Sequence, residues 1–268
     1  MKGRSPSSST PTKRSKPRRA ASRLEALRDS AQASATKEPQ AWTVAEAIAE
    51  LQRHGSRYNV EGMARFGIRS DDVYGVSKPA LDKIAREIGK DHDLGLRLWQ
   101  TGNHDARLLG MLISEPAKVS SRQMEDWVKD FDNWDVCDGT CCHLFAAAKP
   151  AWKKALAWTR CKNEFEKRAG FALIAYLAVH DKAAADDAFE PCLAAIEREC
   201  WDDRNFVRKA VNWALRNIGK RNKRLNRTAI ACAERIKQQG TRAARWIAAD
   251  ALRELRSEAV QLRLSRKP

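Results

Sequence analysis

The chain has 268 residues, with 50 Lys and Arg against 34 Asp and Glu, a net charge of +16. Charge of that size points to a polyanionic partner, nucleic acid before an anionic membrane surface. Apolar residues at 43% exclude a wholly disordered chain, and 13 Gly with 9 Pro argue for helices over a β-sandwich.

Residues 1–40 are rich in Ser, Pro, Lys, Arg and Ala and hold 10 basic against 3 acidic residues. Such a segment buries too little apolar surface to offset its ordering entropy, so a disordered basic arm is predicted. It serves either as a solubilising tail or as a non-specific attractor of phosphates. The Pro-containing stretch Lys13 to Arg19 spoils an amphipathic presequence helix. The rest, 41–268, is predicted to be one helical domain that is basic in its own right, with +9 of the +16.

Thr43 with Glu46 forms a capping box that opens a helix to about His54. Ser77 caps a second, with Pro79 in its first turn. Periodicity then predicts helices over 94–101, 105–113, 121–130, 134–148, 151–159, 164–179, 184–199, 204–221, 226–238 and 242–256. Breaks fall at Gly102, Glu115-Pro116, Pro150 and Gly240. No run alternates with period two, so no sheet is expected. Short connections between a dozen helices imply stacked antiparallel pairs, as a globular bundle or a solenoid. The longest uncharged apolar run is shorter than the roughly 18 residues of a membrane span, so no membrane partner is expected.

The seven cysteines follow no apolar signal-peptide core. Reduced thiols in a cytosol-like compartment are expected: cytoplasmic and nucleoid-associated in a bacterium, mitochondrial or nuclear only in a eukaryote. Cys137, Cys141, Cys142 and His143 cluster, but no second Cys/His pair follows to complete a structural zinc site. No metal and no cofactor are expected.

In the helix over 204–221, 100° per residue puts Arg208, Lys209, Asn212, Trp213, Arg216 and Lys220 on one side. Phe206, Val207, Ala210, Val211, Ala214, Leu215 and Ile218 fill the other. A charged face is usually just solvated, but a Trp embedded among cations also suits a sugar-phosphate strand. The helix over 164–179 carries charge only at its start. Burial at the centre of the stack is expected for it, with Arg168 near its N-terminal end as an ion pair or a site residue. The segment Asp132 to Thr140 is denser still. Asp132 or Asn133 can cap a helix, and Trp134 and Asp138 share one face, a turn apart. Either Asp138 pairs with a structural Arg and Trp134 is core, or the two face something cationic together.

The stretch Asn133-Trp134-Asp135-Val136-Cys137-Asp138, then Arg168, then Phe206-Val207-Arg208-Lys209-Ala210-Val211-Asn212-Trp213-Ala214-Leu215-Arg216, resembles the DNA alkylation repair enzymes of the AlkD type. The resemblance covers most of 42–256. It implies an all-α solenoid of HEAT-like antiparallel helix pairs with a concave basic face. It also implies a monofunctional glycosylase that hydrolyses the N-glycosidic bond of cationic alkylated purines, such as 3-methyladenine and 7-methylguanine, in duplex DNA. No lyase activity is implied, and the chain is expected to act as a monomer. Trp134, Asp138 and Arg168 fall on catalytic positions of the family. Trp213 falls on an aromatic that lies against the DNA backbone. Phe66, in Met63-Ala64-Arg65-Phe66-Gly67-Ile68, falls on an aromatic near the lesion strand that is usually Tyr. Arg208, Lys209, Arg216 and Lys220 are expected to hold phosphates. In this chemistry a fixed carboxylate stabilises the oxocarbenium-like sugar, an indole attracts the cationic base, and an Arg holds the adjacent phosphate. The alternative is a non-catalytic module of the same fold that binds distorted or branched DNA.

Overall fold

A computed structural model describes residues 41–68 and 72–266; the basic arm expected over 1–40 lies outside the described residues. Fourteen α-helices and no strand occur among the described residues. In chain order they are α1 (Val44–Arg53), α2 (Arg57–Arg65), α3 (Lys78–Ile88), α4 (His92–Gln100), α5 (His104–Ile113), α6 (Ser121–Lys129) and α7 (Trp134–His143). There follow α8 (Ala151–Trp158), α9 (Glu164–His180), α10 (Glu190–Glu199), α11 (Asn205–Gly219), α12 (Lys223–Gln238), α13 (Arg242–Leu255) and α14 (Glu258–Ser265). Helices α5, α7, α9, α11 and α13 stack one upon the next as an inner row. Helices α4, α8 and α12 pack as the outer members of pairs with α5, α9 and α13. This is the solenoid rather than the globular bundle.

The stack is held by apolar seams that periodicity made visible. In α9, Ala169 to Ala175 are all buried, as are Leu177 and Ala178. Helix α9 sits between α7 and α11, so it has no solvent face over most of its length. Gly170 permits a tight crossing there, since a Cβ would stand 2.6 Å from the Thr159 amide nitrogen at the end of α8. Farther toward the N-terminus, the indoles of Trp99 and Trp127 stack at 3.8 Å and 4°. One ionic knot also lies inside. Lys167 Nζ is 2.7 Å from Glu199 and 3.2 Å from Asp202, with all three side chains nearly enclosed. It ties the start of α9 to the turn between α10 and α11.

Two helices are shorter than the sequence reading had them, and two were not anticipated. The helix expected over 134–148 stops at His143, and Phe145–Ala147 form a 3-10 turn. Leu144 and Phe145 are both fully buried. The backbone leaves the helix at Leu144, whose φ of -128° lies outside the helical range. The helix expected over 184–199 begins only at Glu190, because Pro191 fits a first turn and not a helix interior. Helix α2 was not legible: none of its residues is buried, so no apolar stripe marks it. The short C-terminal α14 was likewise not anticipated.

Candidate functional site

The site starts with the cap of α7. Asn133 Oδ1 accepts hydrogen bonds from the amides of Asp135 and Val136, both at 3.0 Å. Its amide nitrogen is thereby turned to Nδ1 of the buried His104 at 3.3 Å and to Asp132 at 2.6 Å. Of the two candidate caps, Asn133 is the one used. Trp134 is the first residue of α7, and Asp138 lies one turn on. Trp134 Nε1 donates to the main-chain oxygen of Phe66 at 3.0 Å, which binds α7 to the end of α2. Gly67 then turns the chain with φ +78, and a Cβ there would stand 3.2 Å from the Phe206 ring. The side chain of Phe66 is left 71% exposed.

Arg168, in the second turn of α9, reaches Asp138. Its Nε donates to Oδ1 at 2.8 Å and its Nη2 to Oδ2 at 2.6 Å. Its Nη1 donates to the main-chain oxygen of Phe206 at 2.7 Å. Every guanidinium nitrogen is therefore engaged inside the protein. Arg168 was expected to be an ion pair or a site residue; its donors form the ion pair, a bidentate clamp on the carboxylate. Burial pushes the Asp138 carboxyl above its ordinary value, and the Arg168 charge opposes that shift. The two readings of Asp138 thus merge: it has its Arg, and it still faces a cavity.

That cavity is about 790 Å³ and lies along the inner row of helices. Trp134, Asp138, Arg168, Lys209, Trp213 and Trp246 all line it, with Phe66 and Arg216. The residues predicted as catalytic come together, joined by α11. Trp213 is half-buried, edge-on to Tyr176 at 4.9 Å.

The basic face of α11 differs from the bare row of cations expected. Arg216 lies 2.6 Å from Glu254 and 3.5 Å from Asp250, and Lys220 lies 2.6 Å from Glu254. Arg208 pairs with Asp203 at 3.2 Å and lays its guanidinium over the Trp246 ring at 4.7 Å. Asn212 is buried, with its amide nitrogen on Asp250 at 2.7 Å. Burial works against ionisation of Glu254, but Lys220 and Arg216 outweigh it and hold the carboxyl below its ordinary value. Lys209 alone of the four predicted phosphate ligands is exposed. Lys220 lines a neighbouring cavity with Arg221 and Arg263. The reason lies on α13, where Asp250 and Glu254, four apart, are placed against Arg216 and Lys220, also four apart on α11. That matched spacing was readable in the sequence, but not that the two helices are neighbours. Trp246, on the same helix, was missed altogether.

Cys137 and Cys141 turn their thiols to the main-chain oxygens of Phe165 and Ala169, at 3.6 and 3.7 Å. Those two sulfurs act as buried packing groups of the α7–α9 seam.

A family model described as DNA alkylation repair enzyme matches residues 47–255. An uncharacterized protein of Listeria innocua is 28% identical over 105 residues, which are 38% of this chain and 47% of that protein. One of Listeria monocytogenes is 27% identical over 105 residues, with the same shares. The chain spans about half the length of the curated relatives it matches. A solved structure described as a new family of proteins related to the HEAT-like repeat DNA glycosylases, with affinity for branched DNA structures, matches with a TM-score of 0.69. It is 19% identical and covers 84% of this chain and 97% of that one, a likeness of fold. The family match runs through every helix of the inner row, and the chain belongs to the DNA alkylation repair enzyme family.

Proposed function

We propose that the chain is a DNA glycosylase for cationic alkylated purines, working at the cavity lined by Trp134, Asp138 and Arg168. The carrying observation is that a carboxylate and an indole, held a turn apart on α7, open on one cavity with the exposed cation Lys209. Alkylation at a ring nitrogen makes the purine a cation and a good leaving group. The indole of Trp134 attracts that cation. As the glycosidic bond breaks, positive charge moves to the sugar, and the Asp138 carboxylate stabilises it and orients the attacking water. Arg168 fixes the carboxylate in place beforehand, so no reorganisation accompanies the reaction. This chemistry requires no Lys nucleophile, so no covalent intermediate and no strand cleavage are expected. Phe66 and Trp213 flank the strand, and Lys209 contributes a phosphate contact.

The test is purine release from methylated duplex DNA. Asp138→Asn should cut release by roughly tenfold to a thousandfold while leaving DNA affinity nearly unchanged, because it removes charge felt mainly in the transition state. It also leaves the buried Arg168 without its acid, so a thermal melt is run beside the assay to show that the variant is folded. Equal loss of affinity and rate would make Asp138 structural.

A second reading has its own support. The bidentate clamp neutralises Asp138 in the resting site, and the similar solved structure is described as having affinity for branched DNA. In that reading the chain binds distorted DNA without excision. Wild-type protein that binds DNA and releases no alkylpurine would establish it over the first.

A further inference from the structure

The α11–α13 end of the cavity differs in chemistry from the Asp138 end. Arg208 and Arg216 are already matched by Asp203, Asp250 and Glu254. A phosphate arriving beside those two arginines meets balanced charge, while Lys209 lines the same cavity without an ion pair to a described residue. Three buried polar atoms are nonetheless without a partner among the described residues: Asn212 Oδ1, Arg208 Nε and Arg216 Nε. Asn212 is 2% exposed, and its amide nitrogen is fixed on Asp250. That orientation leaves its carbonyl oxygen as an open acceptor, costly to leave empty in a buried place. Two indoles line the same cavity. Trp213 is held edge-on by Tyr176, and Trp246 is 38% exposed with one face under the Arg208 guanidinium.

We infer that this end of the cavity receives an unpaired nucleobase of DNA, stacked on the Trp246 indole with its N–H groups directed to Asn212 and Asp250. The inference rests on the nucleic-acid reading of the cavity and adds to it what is recognised besides phosphate and lesion. A neutral planar ring gains stacking on an indole whatever its sequence identity, and it adds no charge to a balanced surface. Asn212 Oδ1 and the Asp250 carboxylate are acceptors, and every base carries an N–H donor on its ring or exocyclic edge. In a paired duplex those donors are occupied and both ring faces are stacked. The subsite therefore discriminates in favour of DNA with a base already free, at a bulge, a mismatch or a branch.

The experiment compares a fully paired duplex with the same duplex carrying one extra, unpaired 2-aminopurine, by fluorescence anisotropy at fixed salt. Wild-type protein should bind the bulged DNA roughly five- to a hundredfold more tightly, the range that base–aromatic stacking supports. The 2-aminopurine emission should fall on binding, as the base stacks. Trp246→Ala should abolish both the preference and the quenching, while affinity for the paired duplex changes by no more than about twofold. Trp246→Phe, which keeps a ring, should retain part of both. Trp201→Ala, which removes an exposed indole outside the cavity, should retain all of both. A thermal melt shows that each variant is folded. Equal wild-type affinity for the two DNAs, or an unchanged preference in Trp246→Ala, overturns the inference and leaves DNA binding intact. Failure of the wild-type protein to bind either DNA at low salt overturns the nucleic-acid reading with it.

Discussion

Glu254 sits between Arg216 and Lys220, 2.6 Å from each. Its replacement by Gln keeps the shape and removes the acid that both cations share. Each phosphate neutralised on duplex DNA contributes about 0.9 to the slope of log affinity against log salt. Asp250 still stands 3.5 Å from Arg216, so the slope steepens by about 0.9 if one cation turns to DNA and about 1.8 if both do. Over a fourfold salt increase, from about 50 to about 200 mM, the variant should then lose roughly three- to twelvefold more affinity than wild type, having started tighter at low salt. The pairs are about three-quarters enclosed, so breaking them costs more than the roughly 1 kcal/mol of an exposed pair, and a thermal melt shows that the variant is folded. Lys209→Ala works in the opposite direction. Lys209 is exposed and makes no ion pair with a described residue, so its loss should flatten the slope by about 0.9. Arg216→Ala, whose charge is already matched, should change the slope less than Lys209→Ala. The assay is anisotropy titration of an undamaged duplex at several salt concentrations. Wild-type slopes in both Glu254→Gln and Lys209→Ala would show that this face of α11 does not meet DNA.

Two further outcomes follow from the ionic geometry. Because burial raises the Asp138 carboxyl, excision should fall with decreasing pH from a point above the ordinary Asp value of about 3.9, and Asp138→Asn should lack that limb. A raised folded-state value means that protonating Asp138 does not itself favour unfolding, so the limb is read on folded protein, from pH–rate profiles of purine release. Lys167→Ala should destabilise the fold by about 3 kcal/mol in urea unfolding, by leaving Glu199 and Asp202 buried beside Arg198 and Arg204 alone. Burial works against ionisation of both acids, but hydrogen bonds from Lys167, Arg198 and Arg204 hold them below their ordinary values. Their stabilising contribution is present above the unfolded carboxylate range and lost as pH falls through those lowered values. The acid dependence of stability should therefore flatten in Lys167→Ala.

Helix class and most of the helix order were legible because they are local. The capping box at Thr43, the apolar run of α9 and the two-sided pattern of α11 each depend on residues within a few turns. The pairing of Trp134 with Asp138 was legible for the same reason, as a spacing of four on one helix. Boundaries failed where burial overrode propensity, as at Leu144, or where little burial left no pattern, as in α2.

What local pattern could not decide is which helices become neighbours. Asp138 has an Arg because α9 lies beside α7, and Arg216 has acids because α13 lies beside α11. The sequence by itself determined a helical, basic chain in which Trp134 and Asp138 share a helix face, Arg168 stands near the start of an apolar helix, and Trp213 lies among the cations of another. Only the tertiary structure decided that Arg168 clamps the carboxylate instead of facing solvent, that most of the cations on α11 are neutralised, and that Trp246 completes the cavity. The physical reason is range. Helical phase is set over about 5 Å of rise per turn, whereas charge pairing and cavity shape are set between residues some 30 to 40 positions apart, brought together only when the stack closes.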